Sequence, residues 1–155
     1  MTVPDWRRRL DLEAHPEGGF FRRIYTSPHV TRTAGGPRPT ATSIHYLLTR
    51  DEPRGRLHRN RSDILHFLLD GGPVEYVTVT PDGVLERVTL QTGDRHFLVV
   101  PGRVWKASQL IGDAAHALVA EVVTPGFDHA DHRFAVPEDF AHLPALREEL
   151  APFLP

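Results

Sequence analysis

An all-β sandwich or barrel is the fold that this sequence predicts, and three observations predict it. Fourteen prolines and twelve glycines are spread through 155 residues, which leaves no long uninterrupted segment for helices. The segments between them are short and rich in β-branched and aromatic side chains. Helix-compatible patterns are confined to the two ends. Short strands at such spacing, closed by turn residues, build sheets that pack face to face or curl into a barrel.

From the N-terminus, Pro4 to Leu12 reads as one short helix with proline near its first turn. GGFFRRIYTS (18–27) is the first long strand. Thr31–Pro39 (TRTAGGPRP) reads as a Gly/Pro loop of the mobile kind that covers a pocket. TATSIHYLLT (40–49) and DILHFLLD (63–70) follow as strands. VEYVTVT (74–80) and Val84–Leu90, joined by Pro81-Asp82-Gly83, form an antiparallel hairpin. HFLVVP (96–101) and HALVAEVVTP (116–125) complete the strand set. Pro144–Leu150 (PALREEL) reads as a second short helix, opened by proline and closed before Pro152. No repeat, low-complexity tract or interdomain linker interrupts this pattern, so residues 1–155 are expected to form one domain.

Composition narrows the function. A chain of this length buries roughly 70% of its unfolded surface without disulfides or a structural metal. It has no cysteine, which removes disulfide scaffolds, cysteine-ligated zinc, iron–sulfur clusters and thiol nucleophiles. The stretch MTVPDWRRRLDLEAHPEGG is basic but carries no apolar run, so no signal peptide is expected. No segment approaches a membrane span, and a soluble cytoplasmic protein is the default expectation. A net charge of −2 gives no electrostatic footprint for nucleic acid, and the Arg7–Arg9 cluster reads as a solvated helix face. GxGxxG, P-loop and GxSxG motifs are absent, which argues against nucleotide hydrolysis and serine-hydrolase chemistry.

Ten histidines make it useful to ask which of them face inward. Side chains alternate along a strand, so in Asp63–Leu69 one face holds Ile64, His66 and Leu68. An inward His66 would be a titratable group in an apolar cavity. His58 lies in the arginine-rich RGRLHRNRSD just before that strand. In DHADHRF (128–134), His129 and His132 could ligate a cation, although a solvated loop is the simpler reading. No tight metal signature such as HExxH is present.

Five motifs carry a resemblance: HPEGGFFRRIYTS (15–27), SIHYLLT (43–49), LHRNRSD (57–63), VVPGRVWKAS (99–108) and TPGFDHADHRFA (124–135). In order and spacing the chain resembles the DUF985, or Cupin 5, family of the RmlC-like cupin superfamily over about residues 12–136, with 137–155 left as a helical tail. The resemblance implies a double-stranded β-helix (jelly-roll) barrel with short terminal helices, and a homodimer. The family has no settled general activity, and the fold cannot choose among the chemistries it hosts.

The departures from the cupin pattern are informative. Metal-binding cupins offer two histidines and a glutamate from a first motif and a histidine from a second. His58 matches the first histidine, and Asn60 stands where the second would be. HRNRSDILHFLLDGGP aligned without gaps puts Ile64 at the glutamate position and His66 at a tryptophan position; a one-residue gap would instead put Asp63 on the glutamate. Lys106, the sole lysine, takes the second motif's histidine position. With one ligand of four retained, no tight metal site is expected.

The same substitutions suggest a metal-free acid–base pocket in which His58, His66 and Lys106 project into one cavity. A lysine there has a lowered pKa or pairs with an anion, and a neighbouring histidine can act as general base. Glu121 could orient a histidine. Arg22 and His45 are further substrate-binding candidates beside Asn60 and Glu121, Arg22 for a phosphate or carboxylate. The favoured expectation is an isomerase, epimerase or dehydratase acting on a small polar carbonyl metabolite, sugar- or nucleotide-linked among the options, with no cofactor. Two alternatives stay open: a divalent-metal enzyme using His58 and His66, and a non-catalytic small-molecule-binding cupin.

Overall fold

Alternation of side chains along its strands gives this chain two kinds of sheet face, one turned to the interior and one turned out. The computed structural model describes residues 4–155. Its strands are β1 (Glu13–Ala14), β2 (Phe20–Thr26), β3 (Val30–Thr33), β4 (Gly36–Pro39), β5 (Thr42–Thr49), β6 (Arg54–Asn60) and β7 (Asp63–Gly71). They continue as β8 (Val74–Val79), β9 (Leu85–Leu90), β10 (Phe97–Val100), β11 (Trp105–Leu110), β12 (His116–Thr124) and β13 (His132–Phe134). Six of them form one antiparallel sheet in the order β1-β2-β5-β12-β7-β10, and five form a second in the order β13-β6-β11-β8-β9. From β5 to β13 the chain passes repeatedly between the two sheets, as a jelly-roll barrel requires.

Three apolar clusters hold this together. Tyr46, Leu48, Leu68, Tyr76 and Val119 belong to the core between the sheets. Phe140, Leu150 and Phe153 of the C-terminal tail cover Leu57, Val77 and Trp105 on the outside of the five-stranded sheet. Trp6, Leu10 and Leu12 cover Phe20, Leu47 and Leu118 on the outside of the six-stranded sheet.

The terminal helices are short. The second one spans Pro144–Leu150 as its sequence predicts. The first is a single turn, Trp6–Arg9, rather than the whole of Pro4–Leu12. Asp5 caps it by accepting from the Arg8 N–H, and Asp11 at φ 52° turns the chain out of the helix. The hairpin expected across Pro81-Asp82-Gly83 is β8–β9, with Val74 opposite Leu90.

The Thr31–Pro39 segment corrects the loop expectation. It forms a hairpin of its own, β3–β4, with Thr31 opposite Arg38. Gly36 at φ 113° makes its turn, and the Thr33 hydroxyl bridges it by donating to the Gly36 carbonyl at 2.7 Å. The Arg38 guanidinium then ties the hairpin to Asp131 through contacts of 2.8 and 3.0 Å.

Candidate functional site

Two cross-strand rows build the site. On the inner face of the six-stranded sheet, Arg23 lies opposite Ile44, Ile44 opposite Glu121, Glu121 opposite His66, and His66 opposite Leu98. On the inner face of the five-stranded sheet, Phe134 lies opposite His58, His58 opposite Lys106, and Lys106 opposite Thr78. One pair further along, His132 lies opposite Asn60. The arrangement follows from period-two alternation, which puts directly opposed residues on one face.

Lys106 links the two sheets. Its ammonium donates to His66 Nε2 at 2.8 Å and to Glu121 Oε1 at 3.3 Å. The His66 ring turns its other nitrogen, Nδ1, toward the Leu98 carbonyl at 3.2 Å. A carbonyl can only accept, so Nδ1 carries the hydrogen and Nε2 the lone pair that receives Lys106. All three residues are buried, His66 completely. Burial, reinforced by the Lys106 charge, pushes the His66 pKa down to about 3. Burial, the largest single influence, raises the Glu121 carboxyl, but the Lys106 ammonium together with His66 and His58 brings the group below its ordinary range. Glu121 is therefore a buried, ionised carboxylate.

The second cluster comes from the HPEGG turn. Gly19 has φ 73°, and a Cβ there would meet the Leu47 carbonyl at 2.6 Å, so only glycine lets the turn lie this close to β5. The Tyr46 hydroxyl donates to the Gly18 carbonyl at 2.7 Å, and the Arg56 N–H donates to the Glu17 carbonyl at 2.6 Å. These contacts aim the Glu17 side chain inward, where Oε2 lies 3.0 Å from His58 Nε2. His58 Nδ1 faces the Arg56 carbonyl at 2.7 Å and must carry a hydrogen. One further proton lies on the Nε2–Oε2 line, since two lone pairs do not approach to that distance without one. Burial and the Lys106 charge drive the ring toward its neutral form, down to about 3. His132 stacks at a tilt against His58, with 5.2 Å between ring centroids. Burial first, and His58 second, lower its pKa to about 4.

A cavity of about 440 Å³ opens above these groups. Its polar wall presents Glu17, His58, Asn60, Glu121 and His132, and Phe21, Ile44, Ile64, Val123, Phe127 and Phe134 supply much of its apolar wall. Asn60 is 7% exposed, and its Oδ1 has no hydrogen-bond partner.

The structure thus brings together His58, His66, Lys106, Glu121 and Asn60, but in two layers. His66 and Lys106 are not among the cavity-lining residues; they lie one layer behind it, bonded to Glu121 and to each other. Arg22 and His45 are elsewhere. They face one another across β2 and β5 on the outer face of the six-stranded sheet, one residue out of phase with the inner row. Arg22 pairs there with Asp11 at 2.8 Å. Its neighbour Arg23 lines the cavity instead. Sequence reasoning missed Glu17, whose signal was the two glycines after it, and read His132 as a loop residue because its pairing with Asn60 is a long-range contact.

A family model described as "Cupin superfamily (DUF985)" matches residues 5–135. The uncharacterized protein YML079W of Saccharomyces cerevisiae is 37% identical over 157 residues, which cover 90% of this chain and 76% of that protein. A hypothetical protein from Leishmania major superposes with a TM-score of 0.90 at 26% identity, over 99% of both chains. Oxalate decarboxylase from Bacillus subtilis shares the fold alone, at a TM-score of 0.60 and 15% identity over 93% of this chain and 37% of that one.

Proposed function

From a chain that belongs to the DUF985 family of the cupin superfamily, we propose an acid–base enzyme of the isomerase, epimerase or dehydratase class, acting on a small polar carbonyl compound held in the barrel. One observation carries the reading. Two carboxyl groups line a single cavity in different environments, Glu121 ionised beside Lys106 and Glu17 sharing a proton with His58. A carboxylate and a hydrogen-bonded carboxyl–imidazole pair on one cavity supply a base and a proton donor to the same substrate.

In the proposed step, Glu121 takes the proton from the carbon beside the carbonyl. The C–H electron pair becomes the C=C bond, and the C=O π pair takes up the proton shared by Glu17 and His58, so an enol forms with no redox partner. Delivery of the Glu121 proton to the neighbouring carbon gives the isomer, and delivery of a water proton to the opposite face, with the Glu121 proton passing to water, gives the epimer; in both the enol proton returns to the Glu17–His58 pair. Loss of a β-hydroxyl as water gives the dehydrated product. His66 and Lys106 serve one layer back, keeping Glu121 ionised. Arg23 takes the anion-binding role expected of Arg22; its guanidinium lies 6.0 Å from the Phe127 ring centroid at the cavity wall. A ligand phosphate or carboxylate would lie there, so a sugar phosphate, nucleotide sugar or hydroxy acid suits the site.

Solvent-deuterium incorporation across a panel of aldoses, ketoses, nucleotide sugars and α-hydroxy ketones tests the proposal by mass spectrometry. At least one compound is expected to gain deuterium beside its carbonyl, and Glu121→Gln should slow that exchange by at least ~100-fold. Compounds that bind and never exchange would make the chain a small-molecule-binding cupin instead.

The proposed partner is a second copy of the chain. The outer face of the six-stranded sheet leaves Tyr25, Leu69, Phe97 and Val99 exposed, with Phe67 and Phe97 in ring contact at 5.0 Å between centroids. A face of that kind suits the homodimer that the family resemblance implies. Analytical ultracentrifugation checks it, and a monomer at all concentrations would exclude it. Among the described residues no helix is long and apolar enough to cross a membrane.

A further inference from the structure

The positions at which cupins of the metal-binding kind hold an ion do not suit one here. Lys106 fills one of them with an ammonium, and Ile64 stands at another. A different donor set converges on the same cavity. Glu17, His58 and His132 each offer one ligand atom, and these atoms all lie within 4.8 Å of one another. Donors around a common ion at bonds of about 2.0–2.2 Å sit roughly 3–4 Å apart, so side-chain adjustments of about half an ångström would close the set.

Two features independent of that spacing point to a cation. His58 donates Nδ1–H to the Arg56 carbonyl at 2.7 Å, the contact that fixes a metal-ligating imidazole with its Nε2 lone pair outward. The Glu17 carboxyl lies 3.0 Å from that Nε2, a gap that a shared proton fills in the unloaded protein. Asn60 Oδ1 is buried, lines the cavity and has no partner, on the strand position opposite His132. A buried carbonyl oxygen left without a donor is destabilising, and a cation or its bound water would satisfy it. Glu121, 3.3 Å from the Lys106 ammonium, offsets part of that charge at this site.

We infer that Glu17, His58 and His132 form a binding site for a first-row divalent transition ion, with Asn60 beside it and its open side on the cavity. Two imidazoles and a carboxylate select zinc, iron, cobalt or nickel over magnesium and calcium. The site deepens the acid–base reading and rests on it for the cavity. In the loaded protein the ion would take the place of the proton between Glu17 and His58 and would supply the positive charge that polarises the carbonyl, with Glu121 still the base.

Chelator-stripped, desalted full-length protein titrated with cobalt(II), followed by competition with zinc(II), tests the site. One cobalt per chain should bind with visible d–d absorption and be displaced by zinc. Glu17→Gln and His132→Ala should each weaken binding by at least ~10-fold, and His129→Ala should leave it unchanged. Near-UV circular dichroism verifies the fold, and His132 is a partly exposed position whose change the barrel tolerates if Glu17→Gln does not fold. Folded wild-type protein that takes up neither ion overturns the inference. So does an affinity indifferent to both ligand substitutions. The double variant Lys106→Met/Glu121→Gln, which removes both charges together, separates the two proposals: it should bind cobalt like the wild type while losing deuterium exchange. Cobalt binding without exchange in any protein would sink the reaction alone, and exchange in protein that binds no metal would sink the site alone.

Discussion

Lys106 and Glu121 hold opposite charges almost out of reach of solvent, at 3% and 5% exposure, and each is tolerable only because the other is there. Removing one partner of such a pair leaves an uncompensated buried charge and costs about 3–5 kcal/mol, whereas replacing both can be nearly neutral. Lys106→Met should therefore lower the urea-unfolding free energy by that amount, and Glu121→Gln, which strands the ammonium, by a similar one. The double variant should recover at least about 1 kcal/mol of their sum as coupling energy. Strict additivity would mean that the pair does not interact as its geometry requires. The inward side of β7 was legible residue by residue, since Ile64, His66 and Leu68 are buried and Asp63 and Leu69 exposed, as alternation demands. Arg22 and Arg23 were not told apart, because the choice depends on the pairing register of β2 with β5, which carries a bulge between Arg23 and Tyr25. Glu17 was hidden for a different reason: its direction is set by contacts with Tyr46 and Arg56, far away in sequence.

Strands with strong alternation and the proline-opened helix at Pro144–Leu150 could be read locally, because their signals lie within the element itself. The β3–β4 hairpin could not. Its glycines and prolines mark a break in any local pattern, and what orders it is the Arg38 contact with Asp131, 93 residues away. The Arg38 guanidinium, through its hydrogen bonds, keeps the Asp131 carboxyl below its ordinary range. The hairpin and the His129–Asp131 turn are thus one mechanical unit, and His132 follows directly from that turn. Arg38→Gln should speed backbone hydrogen exchange across residues 30–39 and 128–132 by at least ~10-fold while exchange in β7 and β12 stays as it was. Unchanged protection of residues 30–39 would show that the hairpin is ordered by something other than this ion pair.

The barrel as a whole was predictable because its evidence is distributed over every strand, whereas the site depends on a few pairings between them. The same burial that makes the site also sets the molecule's response to acid. His66 is fully buried, and its folded pKa lies at about 3 against an ordinary value of 6.5. Above pH 6.5 neither state binds the proton and the stability is fully present. As pH falls through 6.5 the unfolded chain takes up a proton that the folded barrel refuses, and stability is lost progressively until the folded pKa near 3 is reached. One such histidine contributes a slope of about 1.4 kcal/mol per pH unit in that window. His58 and His132, at about 3 and about 4, tilt the profile the same way. Between pH 6 and 5 the unfolded carboxylates are still largely ionised, so the histidines dominate the change. Urea unfolding at pH 6.0, 5.5 and 5.0, at one fixed protein concentration, should give a steep fall for the wild type. His66→Gln keeps an acceptor for Lys106 and a donor for the Leu98 carbonyl but cannot titrate. Its profile should be shallower by close to one proton, and equal slopes for the two proteins would mean that His66 is not the neutral, buried group described above.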